Sequence, residues 1–171
     1  MKKLLVMLLA LILVAGAVVL SISAEAETRT AECPYCEKTV EWQPVTNSNK
    51  ANFGDGHYYL YEDIRAFGQK TITGTTCLDL NGKTATTNNR SLLVNTENSI
   101  LNVVDSGTNG AVVSQNGSNN IAGGTVRVST GGTLNLYSGT LRYISAEGSV
   151  TARGGVIDTY NGGNVNIYGG T

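Results

Sequence analysis

Three cysteines and one histidine are the residues in this chain with the best claim to chemistry. Cys33, Cys36, His57 and Cys77 follow the spacing C-x2-C-x20-H-x19-C. A structural zinc ion takes four sulfur or imidazole ligands in a tetrahedron, and a Cys3His set supplies them. Such an ion would pin a head segment, the His57 strand and the first repeat strand at Cys77 together. Two alternatives stand beside it: a disulfide from one of the first two cysteines to Cys77, or no linkage. The odd cysteine count would leave one thiol unpaired in a disulfide set. Cys33-Pro34-Tyr35-Cys36 also has the letters of a glutaredoxin-type redox site. That chemistry needs the first thiol at a helix N-terminus, where the dipole lowers its pKa. The following Glu37-Lys38-Thr39-Val40-Glu41-Trp42-Gln43-Pro44 alternates like a strand and meets proline, which argues against redox catalysis.

Candidate acid–base chemistry is sparse. Polysaccharide lyases and hydrolases need clustered carboxylates, with calcium or a basic partner in the lyases. The repeat region offers only the scattered Asp79, Asp105 and Asp158, so no catalytic residue is assigned. Arg127 and Arg142 could share an outer face, but as solvated charges they would simply keep strands from aggregating. Tyr58, Tyr59, Tyr61, Tyr137, Tyr160 and Tyr168 could stack on sugar rings if exposed, or pack between strands. No calcium repeat of the Gly-Gly-x-Gly-x-Asp kind is present.

The elements that position these residues are short strands. Of 171 residues, 21 are Gly, 20 Thr and 17 Asn, and only 15% are charged. Collagen and charge-driven disorder are excluded by that mix. Leu and Ala collect at the N-terminus, where Lys2 and Lys3 precede an apolar run from Leu4 to Leu20 and an Ala24-Glu25-Ala26 site. Residues 1–26 are therefore expected to be a signal peptide, with a retained anchor as the alternative. Its removal leaves 145 residues with 10 basic and 12 acidic groups, a net charge of −2. Without a basic stripe, nucleic acid is not an expected partner, nor is a membrane after cleavage.

The rest divides at about residue 70. Residues 27–70 hold both prolines, the single Trp42 and the single His57, and are expected to form a small N-terminal cap carrying the metal ligands. Residues 71–171 alternate short apolar runs with Asn-Gly and Gly-Gly turns. An eight-residue unit recurs: Gly123-Gly124-Thr125-Val126-Arg127-Val128-Ser129-Thr130, then Gly131-Gly132-Thr133-Leu134-Asn135-Leu136-Tyr137-Ser138. Both units return 31 residues later, at Gly154 to Asn161 and Gly162 to Gly169. Each unit fits one strand plus a glycine bend, and three such strands per coil, stacked at about 4.8 Å, bury one interior. The expected fold is all-β, a right-handed parallel β-helix (solenoid) with a small cap. Val126, Val128, Leu134 and Leu136 should point inward and Arg127 and Asn135 outward. Asn135 should lie over Asn166 and Tyr137 over Tyr168, with Ser145 to Arg153 as a variable loop. A β-sandwich of hairpins is the competing arrangement, since Asn-Gly favours two-residue hairpins.

Cys33-Pro34-Tyr35-Cys36, Gly56-His57-Tyr58-Tyr59-Leu60 and Cys77-Leu78-Asp79-Leu80-Asn81-Gly82, with the Gly-rich units after them, carry a resemblance. The chain resembles large secreted proteins of bacterial surfaces built on the pectate-lyase-like right-handed β-helix. The resemblance implies an extracellular or cell-wall location and a fold more than an activity. The expected function is a structural or adhesive surface module, without catalysis, that contacts polysaccharide or host glycan through amides, hydroxyls and Tyr rings. The rival expectation is the N-terminal part of a polysaccharide lyase or glycoside hydrolase whose catalytic strands lie beyond Thr171. The chain stops as a third unit begins and reads as a fragment.

Overall fold

The computed structural model describes residues 26–49, 52–115, 124–144 and 155–171. The expected signal peptide, apart from Ala26, and the expected variable loop Ser145 to Arg153 lie outside the described residues.

Alternating β-branched and polar residues between turn formers give strands and no helix among the described residues. In chain order these are β1 (Arg29–Cys33), β2 (Lys38–Val45), β3 (Gly56–Leu60), β4 (Lys70–Ile72), β5 (Thr75–Asp79), β6 (Thr84–Thr87) and β7 (Leu92–Val94). There follow β8 (Ile100–Val104), β9 (Ala111–Gln115), β10 (Val126–Ser129), β11 (Thr133–Leu136), β12 (Thr140–Ile144), β13 (Ile157–Tyr160) and β14 (Asn164–Ile167).

They form three sheets: a seven-stranded one ordered β1-β2-β3-β5-β8-β11-β14, a four-stranded β13-β10-β7-β4 and a three-stranded β12-β9-β6. From β4 onward, consecutive strands enter the four-, seven- and three-stranded sheets in fixed rotation. Every pair is parallel except β1–β2, an antiparallel hairpin. A sandwich of hairpins is therefore not what forms. Asn81 and Gly82, with φ of 51° and 68°, turn a corner between sheets instead of closing a hairpin. Asn98, Asn109 and Asn161 also have positive φ at turns, where asparagine tolerates the left-handed region best after glycine.

Register is set by the inward residues. Leu101 pairs with Leu134 and Leu134 with Val165, while Leu78, Val103 and Leu136 form the next column. These leucines and Val103, with Val126 and Val128, are buried in one continuous cluster. Full burial of such a side chain is worth roughly 1.5–3 kcal/mol. The 31-residue repeat is real: Val126 pairs with Ile157 and Thr133 with Asn164.

The first segment shares this scaffold. β1, β2 and β3 extend the seven-stranded sheet, and bridges Phe53–Ile72 and Ile64–Ala85 extend the other two sheets. Two side-chain expectations need correction. Asn135 faces away from the core but is only 7% exposed, because Asn102 and Asn166 bond to it from either side. Arg127 and Arg142 share no face, since β10 and β12 belong to different sheets. Arg127 instead pairs with Asp158 at 2.7 Å, and Arg142 is exposed.

Candidate metal centre

Alternation along β5 sends Leu78 into the main core and its neighbour Cys77 to the opposite face of the seven-stranded sheet. His57 is the register partner of Cys77 on β3. The Cys-x-x-Cys segment forms the turn of the β1–β2 hairpin, which folds over the same face. Cys33 ends β1, the Glu37 amide donates to the Cys33 carbonyl at 2.9 Å, and Glu37 takes a φ of 53° to complete the reversal. Two thiols three residues apart are thus delivered to one place, above a histidine and a third thiol brought by adjacent strands.

Among the described residues, Cys33, Cys36 and His57 place their ligand atoms within 4.8 Å of one another, close enough to hold a metal ion. Cys36 Sγ is 3.6 Å from His57 Nε2, and Cys33 Sγ is 3.5 Å from Cys77 Sγ. All three cysteines are free thiols. Metal–sulfur bonds of about 2.3 Å and metal–nitrogen bonds of about 2.0 Å give tetrahedral edges of roughly 3.5–3.8 Å. Both separations are of that size, but of the other three ligands Cys77 touches only Cys33, and it lies outside the group of three whose ligand atoms are all within 4.8 Å.

The surroundings are apolar. Cys33, Trp42, Tyr59, Cys77 and Val104 form a second buried cluster, separate from the main core. The Trp42 ring meets His57 edge-on at 5.1 Å and donates its indole N–H to the Ala31 carbonyl at 3.2 Å. Burial pushes the Cys77 thiol well up, the neighbouring Cys33 adding to it. It also raises Cys36, with Cys33 again contributing, and lowers His57. Without a cation Cys36 and Cys77 are therefore held as neutral thiols and His57 as a neutral imidazole, the form of histidine that ligates. A raised thiol is also a poor redox nucleophile, and no helix supports Cys33. No family model matches the chain, and neither a curated protein nor a solved structure matches it significantly. The all-β, parallel-sheet architecture is compatible with a β-helix-like fold.

Sequence reasoning missed the residues that brace this centre. Arg29 on β1 reaches the carboxylate of Asp79 at the end of β5 and donates to Asn81 Oδ1 at 3.0 Å. Its guanidinium also lies over Tyr59, 4.3 Å from the ring centroid, and over Trp42 at 5.5 Å. Asp79 is buried, and the Arg at the start of a Cys-terminated strand was the available signal for its partner. Asn102, register partner of Cys77, was also missed.

The aspartates are engaged in turn contacts, Asp79 and Asp105 at the same corner. Asp79 accepts from the amides of Asn81 and Ser106, and Asp105 from those of Gly82, Gly107 and Gly110. Asp55 accepts from Thr75 and Asp63 from Thr84. Each carboxylate ties one turn to a neighbouring one. The tyrosines divide: Tyr59 is buried with its hydroxyl on the Glu27 carbonyl, and Tyr58 packs on Phe53. Tyr137 stacks on Tyr168 at 4.9 Å and 15°, as expected from the repeat, while Tyr160 and Tyr168 are exposed.

Proposed function

We propose that the chain is a secreted or cell-surface right-handed parallel β-helix of the pectate-lyase-like kind, with a structural or adhesive role and no catalysis of its own. Its head is stapled by a zinc ion on Cys33, Cys36, His57 and Cys77, which closes the end of the coil. The observation that carries the non-catalytic reading is the engagement of the carboxylates. Asp79, Asp105 and Asp158 each hold backbone amides or an arginine in place, a structural engagement that supports a non-catalytic role. Rotation of consecutive strands through three sheets supports the coil. Stacked parallel strands display the same side chain at regular intervals along one face, which suits a repeating polymer. Polysaccharide or host glycan is the partner class, met by the amides, hydroxyls and Tyr rings.

Retention of the purified chain on insoluble polysaccharides, with assays for unsaturated and reducing ends, tests this reading. Binding without release of ends is expected. Release of either kind of end would overturn it in favour of a lyase or hydrolase.

A further inference from the structure

The face of the seven-stranded sheet that carries Cys77 continues as a column of asparagines. In register, Cys77 is followed by Asn102, Asn135 and Asn166. Their amides bond in one direction. Asn166 Nδ2 donates to Asn135 Oδ1 at 2.8 Å, and Asn135 Nδ2 donates to Asn102 Oδ1 at 2.8 Å. Asn102 Nδ2 then points at Cys77 Sγ, 3.7 Å away, and also reaches the Thr76 carbonyl at 3.4 Å. A chain of three amide dipoles therefore ends with its N–H side on a sulfur.

The charge of the centre gives that direction a meaning. Three thiolates and a neutral histidine around a divalent ion carry a net charge of −1. Burying an anion beside Trp42, Tyr59 and Val104 is costly unless hydrogen-bond donors face it. Arg29, the nearby cation on β1, is already neutralised by Asp79. The donors at hand are the Lys38 amide at Cys36 and the Asn102 amide at Cys77. Hydrogen-bonded amides in series polarise one another, strengthening the last bond by about 10–30% per link.

We infer that Asn102 is a positioning residue for the metal, and that the Asn102–Asn135–Asn166 ladder tunes the centre through the Cys77 sulfur. This rests on the zinc reading above. The ladder then has two roles: it satisfies amides between strands, and it lowers the charge density on one ligand from up to three strands away.

Cobalt(II) titration of the full chain, with zinc competition against a chelator, tests it. The readouts are metal affinity and the energy of the thiolate-to-cobalt charge-transfer band. Loss of a hydrogen bond to a ligand typically costs about 10–100-fold in affinity. Asn102→Leu should show that loss and a band shifted to lower energy, because the sulfur becomes more electron-rich. Asn135→Ala leaves Asn102 in place and removes the donor behind it together with the acceptor of Asn166, so a smaller loss and shift of the same sign are expected. It decides the question if Asn102→Leu fails to fold. Wild-type affinity and an unshifted band in the folded variants would overturn the inference and leave the metal site standing. A wild-type chain that binds neither cobalt nor zinc would overturn the metal reading and the inference with it.

Discussion

Cys33 Sγ and Cys77 Sγ stand 3.5 Å apart, from residues 44 positions distant in the chain. A disulfide requires about 2.05 Å, whereas two sulfurs sharing a tetrahedral metal are separated by about 3.8 Å. The purified chain should contain about one zinc per molecule. Chelation, Cys33→Ser or His57→Ala should lower the melting temperature, since a ligand at 100 times its Kd stabilises by about 2.7 kcal/mol. Metal-free protein with a mapped disulfide to Cys77 would reject the site.

Stability of the metal-stripped chain should fall at both ends of the pH scale. Burial lowers the His57 pKa from its ordinary value of 6.5, so the unfolded chain takes up that proton first. The stability present above pH 6.5 is lost as pH falls through the depressed folded value. Burial raises the Cys36 and Cys77 thiols from 9.0, so their contribution is complete below pH 9 and is lost as pH rises further. In the metal-loaded chain the alkaline loss should flatten, because the sulfurs are already bound as thiolates, while the acid loss should steepen as protons compete for ligands. Thermal melts across pH, with and without chelator, check this. Identical profiles would count against a bound metal.

Asp105 is the busiest of the turn carboxylates, accepting from Gly82, Gly107 and Gly110. Hydrogen bonds to a charged group contribute about 1.5–3 kcal/mol each when buried, and less where water can substitute. Asp105→Ala should cost about 3 kcal/mol in denaturant unfolding, and Asp105→Asn clearly less. A cost below about 0.5 kcal/mol would show that water replaces the carboxylate at this half-buried corner.

The second glycine of the Gly131-Gly132 and Gly162-Gly163 pairs is needed for close approach between neighbouring strands. A Cβ on Gly163 would sit 2.3 Å from the Val128 carbonyl oxygen, and one on Gly132 would sit 2.7 Å from that of Val94. Both neighbours are backbone, which cannot swing aside. Gly163→Ala and Gly132→Ala should each destabilise the chain by about 1–3 kcal/mol, the usual range for overpacking. Wild-type unfolding midpoints in both would contradict the spacing.

The last two repeats were legible because their units have equal length. Val126–Ile157 and Asn135–Asn166 could be paired by offset alone, and Tyr137 stacks on Tyr168 accordingly. Earlier repeats were not. Asn135 pairs with Asn102 at a separation of 33 and Asn102 meets Cys77 at 25, because corner segments differ in length while strands do not. The four candidate ligand residues were visible in the sequence, but the column joining Cys77 to Asn102 is invisible without that register. The Arg29–Asp79 pair escaped for the same reason: its partners are 50 residues apart and meet only when β1 folds back over the sheet.

The parallel pairing has a consequence for how the molecule assembles. From β4 onward, paired strands are three apart in chain order, as Lys70 with Leu92 and Leu92 with Val126 show. No such pairing waits for a distant segment, so the fold can grow in the order in which the chain emerges, each strand templated by one laid down shortly before. Cys77 belongs to the first strand laid down beside His57. Capture of an ion at that moment would fix the starting template, and every later strand would inherit its register.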